Sequence, residues 1–355
     1  MEIDTGRRRI GPGHPVYFVA DIAANHDGDL ERAGRLIRLA ADAGADAAKF
    51  QSFRAPEIVS EYGFAHLGGN LSHQAAWGKP VFQVYEDASL PWEWIPVLRA
   101  EADDEGIDFF STPYDLGAVE MLDPYVPLFK IGSGDITWME MLSAVAGKQK
   151  PLILATGASD MDEVRRAVRH ILAINPSLIL LQCNTNYSAS PENFRHINLR
   201  VLSTYQSLFP DVICGLSDHT KGHATALGAV ALGGKVIEKH FTDDDTRPGP
   251  DHPFSMTPAG WREMVDRTRE LEVALGGGEK VVEENERESI IVQRRCLRAA
   301  RPLPAGSVIR REDLSVLRPA PPDSIPASDL GRVLGKRLRS AIPAGEYLTW
   351  SLLGP

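Results

Sequence analysis

VICGLSDHT (Val212–Thr220) and KVIEKHF (Lys235–Phe241) each run through β-branched apolar residues and finish on a histidine. Read as adjacent parallel strands, they bring His219 and His240 to one mouth with Asp218 and Glu238 nearby, the setting in which a barrel builds a divalent metal site. Either histidine alone is equally well an ordinary strand-end residue. The pair gains weight because polar strand ends recur along the whole chain.

Working outward, six further apolar runs of strand length precede these two: VYFVADIA (Val16–Ala23), DAAKFQ (Asp46–Gln51), IDFFSTP (Ile107–Pro113), LFKIGS (Leu128–Ser133), PLILATG (Pro151–Gly157) and LILLQCN (Leu178–Asn184). Helical periodicity alternates with them. Leu30, Ala33, Ile37 and Ala40 mark one face of Asp29–Ala43, and Met161, Val164, Val168 and Leu172 one face of Asp160–Leu172, with Ser159 or Asp160 as its N-cap. Eight such units, with no GxGxxG loop after the first strand, predict a (β/α)8 TIM barrel rather than an open doubly wound sheet. The barrel is expected over residues 1–278. Residues 279–295 read as a charged helix or linker. Residues 296–355 read as a small β-rich module whose halves, RPLPAGSVIRREDL (Arg301–Leu314) and SAIPAGEYLTWSLL (Ser340–Leu353), nearly repeat each other. A module of this size is close to the limit at which a core alone suffices.

The net charge of −10 over 355 residues argues against a nucleic-acid partner, so a small anionic substrate needs local cations. Cys183, Cys214 and Cys296 are far apart and odd in number, which suggests neither a disulfide framework nor a zinc ribbon. With no apolar h-region behind the amino terminus and no long apolar window, a cytoplasmic protein without a membrane partner is expected.

Because barrel chemistry sits at the carboxyl ends of the strands, Asp21, Lys49, Gln51, Thr112, Lys130, Ser133, Thr156, Gln182, Asn184, Ser217 and Glu238 carry information there. A lysine between Ala48 and Phe50, or between Phe129 and Ile131, must meet an anion or a carboxylate. A structural ion pair satisfies one such lysine. Two of them, beside Ser133, Thr156 and Ser217, read as a cradle for a small polyanion.

Together ADIAANHDGDLERA, AGADAAKFQ, FKIGSGD, ILATG, GLSDHT, IEKHF and GPDH (Gly249–His252) resemble the sialic acid synthases, which include makers of legionaminic and pseudaminic acids and spore-coat enzymes. The tail is similar to that family's antifreeze-protein-like (SAF, β-clip) domain, with Arg318-Pro319 in its sugar-contacting loop. The resemblance implies condensation of phosphoenolpyruvate with an open-chain aldose, giving a 2-keto-3-deoxy sugar acid and phosphate. It implies a divalent metal (Mn2+ or Mg2+) on His219 and His240, and phosphate and carboxylate contacts from Lys49, Lys130, Ser133, Thr156 and Ser217. Gln51, Tyr187, Asp251 and a partner subunit's copy of Arg318 would meet the sugar in a domain-swapped homodimer. Asp21, Asp135 and Glu238 are the carboxylates it makes candidates for catalysis. Tyr187 has a plain alternative as a loop-packing aromatic. A metal-dependent pyruvate aldolase or lyase on the same barrel is the alternative activity.

Departures from the family pattern are Asp21 where Glu is usual, NYSASPEN (Asn186–Asn193), Ala-Pro-Pro-Asp-Ser after Pro319, and Trp138 where Asn is common. They point to an altered acceptor half beside an intact phosphoenolpyruvate half. The AWGK stretch (Ala76–Lys79) resembles synthases taking a 6-phosphorylated sugar, with Lys79 either meeting that phosphate or standing as a solvated surface lysine.

Overall fold

The computed structural model describes residues 1–67, 74 and 77–354. Its chain divides into two compact units, Met1–Gly276 and Gly277–Pro355.

In the first unit eight parallel strands follow one another in space as in sequence: β1 (Tyr17–Asp21), β2 (Ala47–Ser52), β3 (Asp108–Pro113), β4 (Phe129–Ile131), β5 (Leu152–Ala155), β6 (Leu178–Cys183), β7 (Ile213–Asp218) and β8 (Val236–His240). β8 returns to pair with β1, and the hydrogen-bonded ladder is open between β3 and β4. Near-continuous burial along every strand is what a parallel sheet covered by helices requires. The expected TIM-barrel architecture is therefore present. β4 is the most shortened strand relative to its expected span, because Ser133–Asp135 turns into a 3-10 helix immediately beyond Gly132.

The two expected helices form as α1 (Leu30–Asp42) and α2 (Met161–Leu172), each burying its apolar face in the main core. Asp160, rather than Ser159, caps α2: its carboxylate accepts from the Asp162 and Glu163 amides while Glu163 reaches back to the Asp160 amide. An amino-terminal hairpin (Ile3–Asp4 with Arg9–Ile10) adds Ile3 and Ile10 to the core. Its Arg8 pairs with Asp46, just before β2, which places the hairpin at the amino ends of the strands and leaves the carboxyl ends for chemistry.

Register sets the site. His240 lies opposite Asp21, and Asp21 opposite Lys49, so three inward side chains from β8, β1 and β2 meet in one row. Glu238 lies opposite Ser217 in the same way. A slip of one residue would turn all of them out of the barrel. Gly215 permits the closeness of β7 and β8, since a Cβ there would sit 2.2 Å from the Val236 carbonyl oxygen.

The second unit has its own core, including Leu297, Leu303, Ile309, Leu314, Ile325 and Leu348. The near-repeat in sequence is a pseudo-dyad in space. Leu303 pairs with its own counterpart Ile342, each amide donating to the other's carbonyl at 2.9 and 3.0 Å. Likewise the Gly306 amide donates to Leu338 and the Gly345 amide to Ala299, symmetry-matched bonds of 2.7 and 2.8 Å. Gly306 and Gly345 both adopt positive φ (78° and 83°), the conformation for which the two Pro-Ala-Gly turns need glycine. Before this core, the stretch expected as helix or linker holds a 3-10 turn (Glu284–Glu286) and a short helix (Arg287–Gln293). None of the described helices is long and apolar enough to cross a membrane.

Candidate active site

At the strand ends, two lysines and two carboxylates form a buried cluster. Lys130 on β4 places its ammonium 2.5 and 2.7 Å from the two oxygens of Glu238 on β8, and Lys49 on β2 lies 2.6 Å from Asp21 on β1. Lys49 is also 4.0 Å from Glu238, and the Ser217 hydroxyl donates to Glu238 at 2.9 Å. Burial opposes the charge on Glu238, but Lys130 and Lys49 outweigh it and hold the carboxyl down at about 2. Burial likewise opposes the charge on Lys49, and Asp21 and Glu238 more than offset it, so its pKa is raised. Both requirements read from the sequence, an anion for each buried lysine, are thus met within the chain.

Beside this cluster the two imidazoles converge, with ring centroids 5.3 Å apart. Burial first, then neighbouring positive charge, pushes both down to about 3, so both are neutral at ordinary pH. His219 Nδ1 lies 2.8 Å from the Asn184 carbonyl, which only accepts. The ring proton therefore sits on Nδ1 and the Nε2 lone pair is free to ligate. His240 Nε2 is 3.4 Å from Asp21, while His240 Nδ1 and Asp21 Oδ1 are buried without hydrogen-bond partners. Two neutral imidazoles next to orphaned buried polar atoms fit a divalent cation. Among the described residues no group of three or more His, Cys, Asp or Glu converges as a metal cage.

Asp218 belongs elsewhere, which corrects its expected place beside the histidines. Strand alternation turns it outward, where Lys239, Thr220 and Thr225 bind its carboxylate and burial leaves it almost no exposure. Lys239, which sequence reading did not single out, is its counter-ion.

The hydroxyls differ in their partners. Ser133 Oγ accepts from the Gly157 amide at 2.9 Å and also stands beside the buried Cys183 thiol. Thr156 donates to the Leu181 carbonyl and accepts from Tyr205, so both of its functions are engaged. Asp135, two residues after Ser133 in the same 3-10 turn, has a buried oxygen with no partner among the described residues, and burial raises its pKa to about 6.

Next to the imidazoles opens a cavity of about 140 Å³ lined by Gln51, Tyr187, His240 and Asp251 together with an aromatic and aliphatic wall. Gln51 donates to Asp21 at 3.4 Å, and Tyr187 stacks edge-on against His219 with centroids 4.3 Å apart. Asp251 accepts from the Ala24 amide at 3.1 Å, and burial raises its carboxyl to about 7. The wall, made by Phe53, Ile58, Trp77, Val84, Tyr85 and Tyr114, went unread in the sequence. Tyr114 follows Thr112 by two residues, so strand alternation alone would have found it. The others come from the excursion between β2 and β3, where helices Ala55–Ile58 and Val81–Ala88 share a separate apolar cluster.

Lys79 is exposed and pairs with Asp87 at 2.6 Å, lining an outer cleft that also holds Arg247. Ala76 lies outside the described residues. Arg318 belongs to the second unit, where its Nε donates to the Gln293 carbonyl at 2.5 Å. Trp138 packs against the main core.

Comparison with known proteins adds independent findings. A model described as NeuB family matches residues 36–280, and one described as SAF domain matches residues 294–354. The chain is 34% identical to the N-acetylneuraminate-9-phosphate synthase of Homo sapiens over 99% of this chain and 96% of that one. It is 35% identical to the N,N'-diacetyllegionaminic acid synthase of Legionella pneumophila over 96% and 95%. Among solved structures, the N-acetylneuraminic acid (sialic acid) synthetase of Leptospira borgpetersenii superposes with a TM-score of 0.72 at 32% identity, over 82% of this chain and 95% of that one.

Proposed function

The chain belongs to the NeuB family and ends in a SAF domain, and from that premise we propose that it condenses phosphoenolpyruvate with an open-chain aldose and water to a 2-keto-3-deoxy sugar acid and phosphate. The observation that carries this reading is the pair of buried lysines beside two neutral imidazoles, one of which, His240, lines the cavity. That its relatives are named as synthases of such acids supports it.

Two of the Lys130 ammonium protons go to Glu238, which leaves a third for the phosphate or carboxylate of phosphoenolpyruvate. Lys49 and the Ser133 hydroxyl complete the cradle, and Ser217 keeps Glu238 aligned. Thr156, already engaged, holds the β5 and β6 strand ends in register. The enol carbon attacks the aldehyde carbon, water adds at C2, and phosphate departs by C–O cleavage. His219 and His240 would hold a Mn2+ or Mg2+ ion, whose contribution when bound is Lewis-acid polarisation of the aldehyde. Asp135, with its pKa near neutrality, exchanges a proton during the reaction, while Asp21 orients Lys49 and His240. Glu238, ionised down to about pH 2, is the anchor of Lys130 rather than a proton carrier.

The acceptor enters the cavity against Gln51, Tyr187 and Asp251, as an N-acylated hexosamine, its 6-phosphate or a less common aldehyde sugar. Incubation with phosphoenolpyruvate, Mn2+ and a panel of aldoses and aldose phosphates tests the whole reading through phosphate release and product mass. Turnover of pyruvate without phosphate release would establish the aldolase alternative instead.

Asp251 supplies a pH prediction. Its native pKa of about 7 stands above the ordinary 3.8, so the folded protein keeps it protonated below neutrality and loses that proton as pH rises through 7. A protonated Asp251 donates to a sugar oxygen. The acceptor KM is therefore expected to rise between pH 6 and 8, roughly tenfold per unit at most, and Asp251→Asn should flatten that rise. A wild-type KM independent of pH would remove the donor role.

A domain-swapped homodimer, with the partner subunit's Arg318 at the acceptor, is part of the proposal. Within the second unit the exposed apolar residues Val281, Val282, Ile291 and Val292 support it, as side chains that a second copy would cover. Mixing inactive Arg318→Ala and inactive His240→Ala proteins under proven subunit exchange should restore activity towards about a quarter of wild type, because each mixed dimer keeps one whole site. No recovery would rule the swap out. The buried, unpaired thiols of Cys183, Cys214 and Cys296 suit a reducing cytoplasm.

A further inference from the structure

The reaction as drawn makes no use of His252, although its imidazole is completely buried and bonded at both edges. Nε2 lies 2.9 Å from Asp27 Oδ1, on the loop after β1, and Nδ1 lies 2.7 Å from Thr242 Oγ1, just beyond β8. Asp27 also receives the Arg247 guanidinium at 2.8 and 3.1 Å and faces Arg32 Nε at 3.2 Å. Burial opposes its charge, but His252 and Arg247 outweigh that and hold the carboxyl below its usual range. The stretch from 243 to 251 has no regular structure, and within it Arg247 is tied to the same carboxylate. A Cβ on Gly249 would stand 2.6 Å from the His252 ring, so the loop's backbone is pressed against the imidazole.

A polar ring is costly to bury unless it bridges groups that also need partners. Here it bridges two separate elements, and the residue immediately before it is Asp251. We infer that His252 is a positioning residue: with Asp27 and Thr242 it latches the loop after β8 onto the loop after β1 and so sets Asp251 against the acceptor. The inference rests on the acceptor-facing role proposed above for Asp251. The Ala24 amide and the Ser255 hydroxyl hold Asp251 at its carboxylate and its carbonyl, and Arg32 holds Asp243 at the start of the loop; the latch adds the bonds that tie the residue next to Asp251 to both flanking elements.

The test has two arms on the full chain. Hydrogen exchange of the ligand-free protein should show amides 244–251 exchanging about tenfold faster or more in His252→Leu, with the strand amides unchanged. In steady state with phosphoenolpyruvate and either N-acetylmannosamine or its 6-phosphate, His252→Leu should raise the aldose KM about tenfold and leave the phosphoenolpyruvate KM within about twofold. The double variant His252→Leu/Asp251→Ala should be no worse than Asp251→Ala, since one residue acts through the other. His252→Gln, which keeps a donor and an acceptor, should recover part of the loss, and Gly249→Ala should reproduce it with the imidazole chemistry intact. Unchanged loop exchange in both His252→Leu and Gly249→Ala, or multiplicative losses in the double variant, overturns the inference. Faster loop exchange with an aldose KM indifferent to Asp251→Ala upholds the latch and removes Asp251 from the acceptor site.

Discussion

His240→Ala, and separately His219→Ala, is expected to lower turnover by about a thousandfold or more, on the scale of losing one preorganised group at the reacting centre. His240 lines the cavity and His219 packs beside it, and removal of either ring leaves charged neighbours paired: Asp21 keeps Lys49, and Glu238 keeps Lys130. Circular dichroism should therefore remain that of the wild type. Calorimetry with Mn2+ should show binding lost in both variants, since each leaves only one of the two converging imidazoles. Near-normal turnover together with undiminished Mn2+ affinity in either variant would reject the assignment of these rings.

Breaking the Lys130–Glu238 pair is the second large effect, and here stability and function should separate. Both partners are almost wholly buried. Lys130→Met or Glu238→Leu alone strips a buried charge of its nearest partner and should cost about 3–5 kcal/mol of unfolding free energy in urea. The double variant Lys130→Met/Glu238→Leu exchanges the pair for apolar groups of similar volume and should regain most of that loss. Phosphoenolpyruvate binding should stay at least about tenfold weaker in Lys130→Met and in the double variant, because the third ammonium proton is gone in both. A double variant that recovers phosphoenolpyruvate affinity as well as stability would make Lys130 purely structural. By contrast the Lys79–Asp87 pair, open to solvent on both sides, should contribute no more than about 1 kcal/mol.

The chain's own residues determined the barrel, because periodicity is a local property. Runs such as Leu178–Cys183 are buried on both faces and must read as continuously apolar, and Asp160 with Glu163 announces a helix start within four residues. The carboxyl-end rule then placed Asp21, Lys49, Lys130, Glu238, His219 and His240 on one mouth. The repeated Pro-Ala-Gly turns likewise foretold the pseudo-dyad.

What each of these groups binds was decided only in three dimensions. Asp218 and Glu238 look alike in sequence, yet strand alternation sends one carboxylate out to Lys239 and the other in to Lys130. The aromatic wall comes from a long excursion between β2 and β3 whose helices carry no signal of where they fold back. The latch through His252 joins residues separated by most of the barrel's length. Hydrogen-bond partners and desolvation depend on distances between segments remote in sequence, so the raised pKa of Asp251 and the engaged hydroxyl of Thr156 belong to the tertiary structure alone.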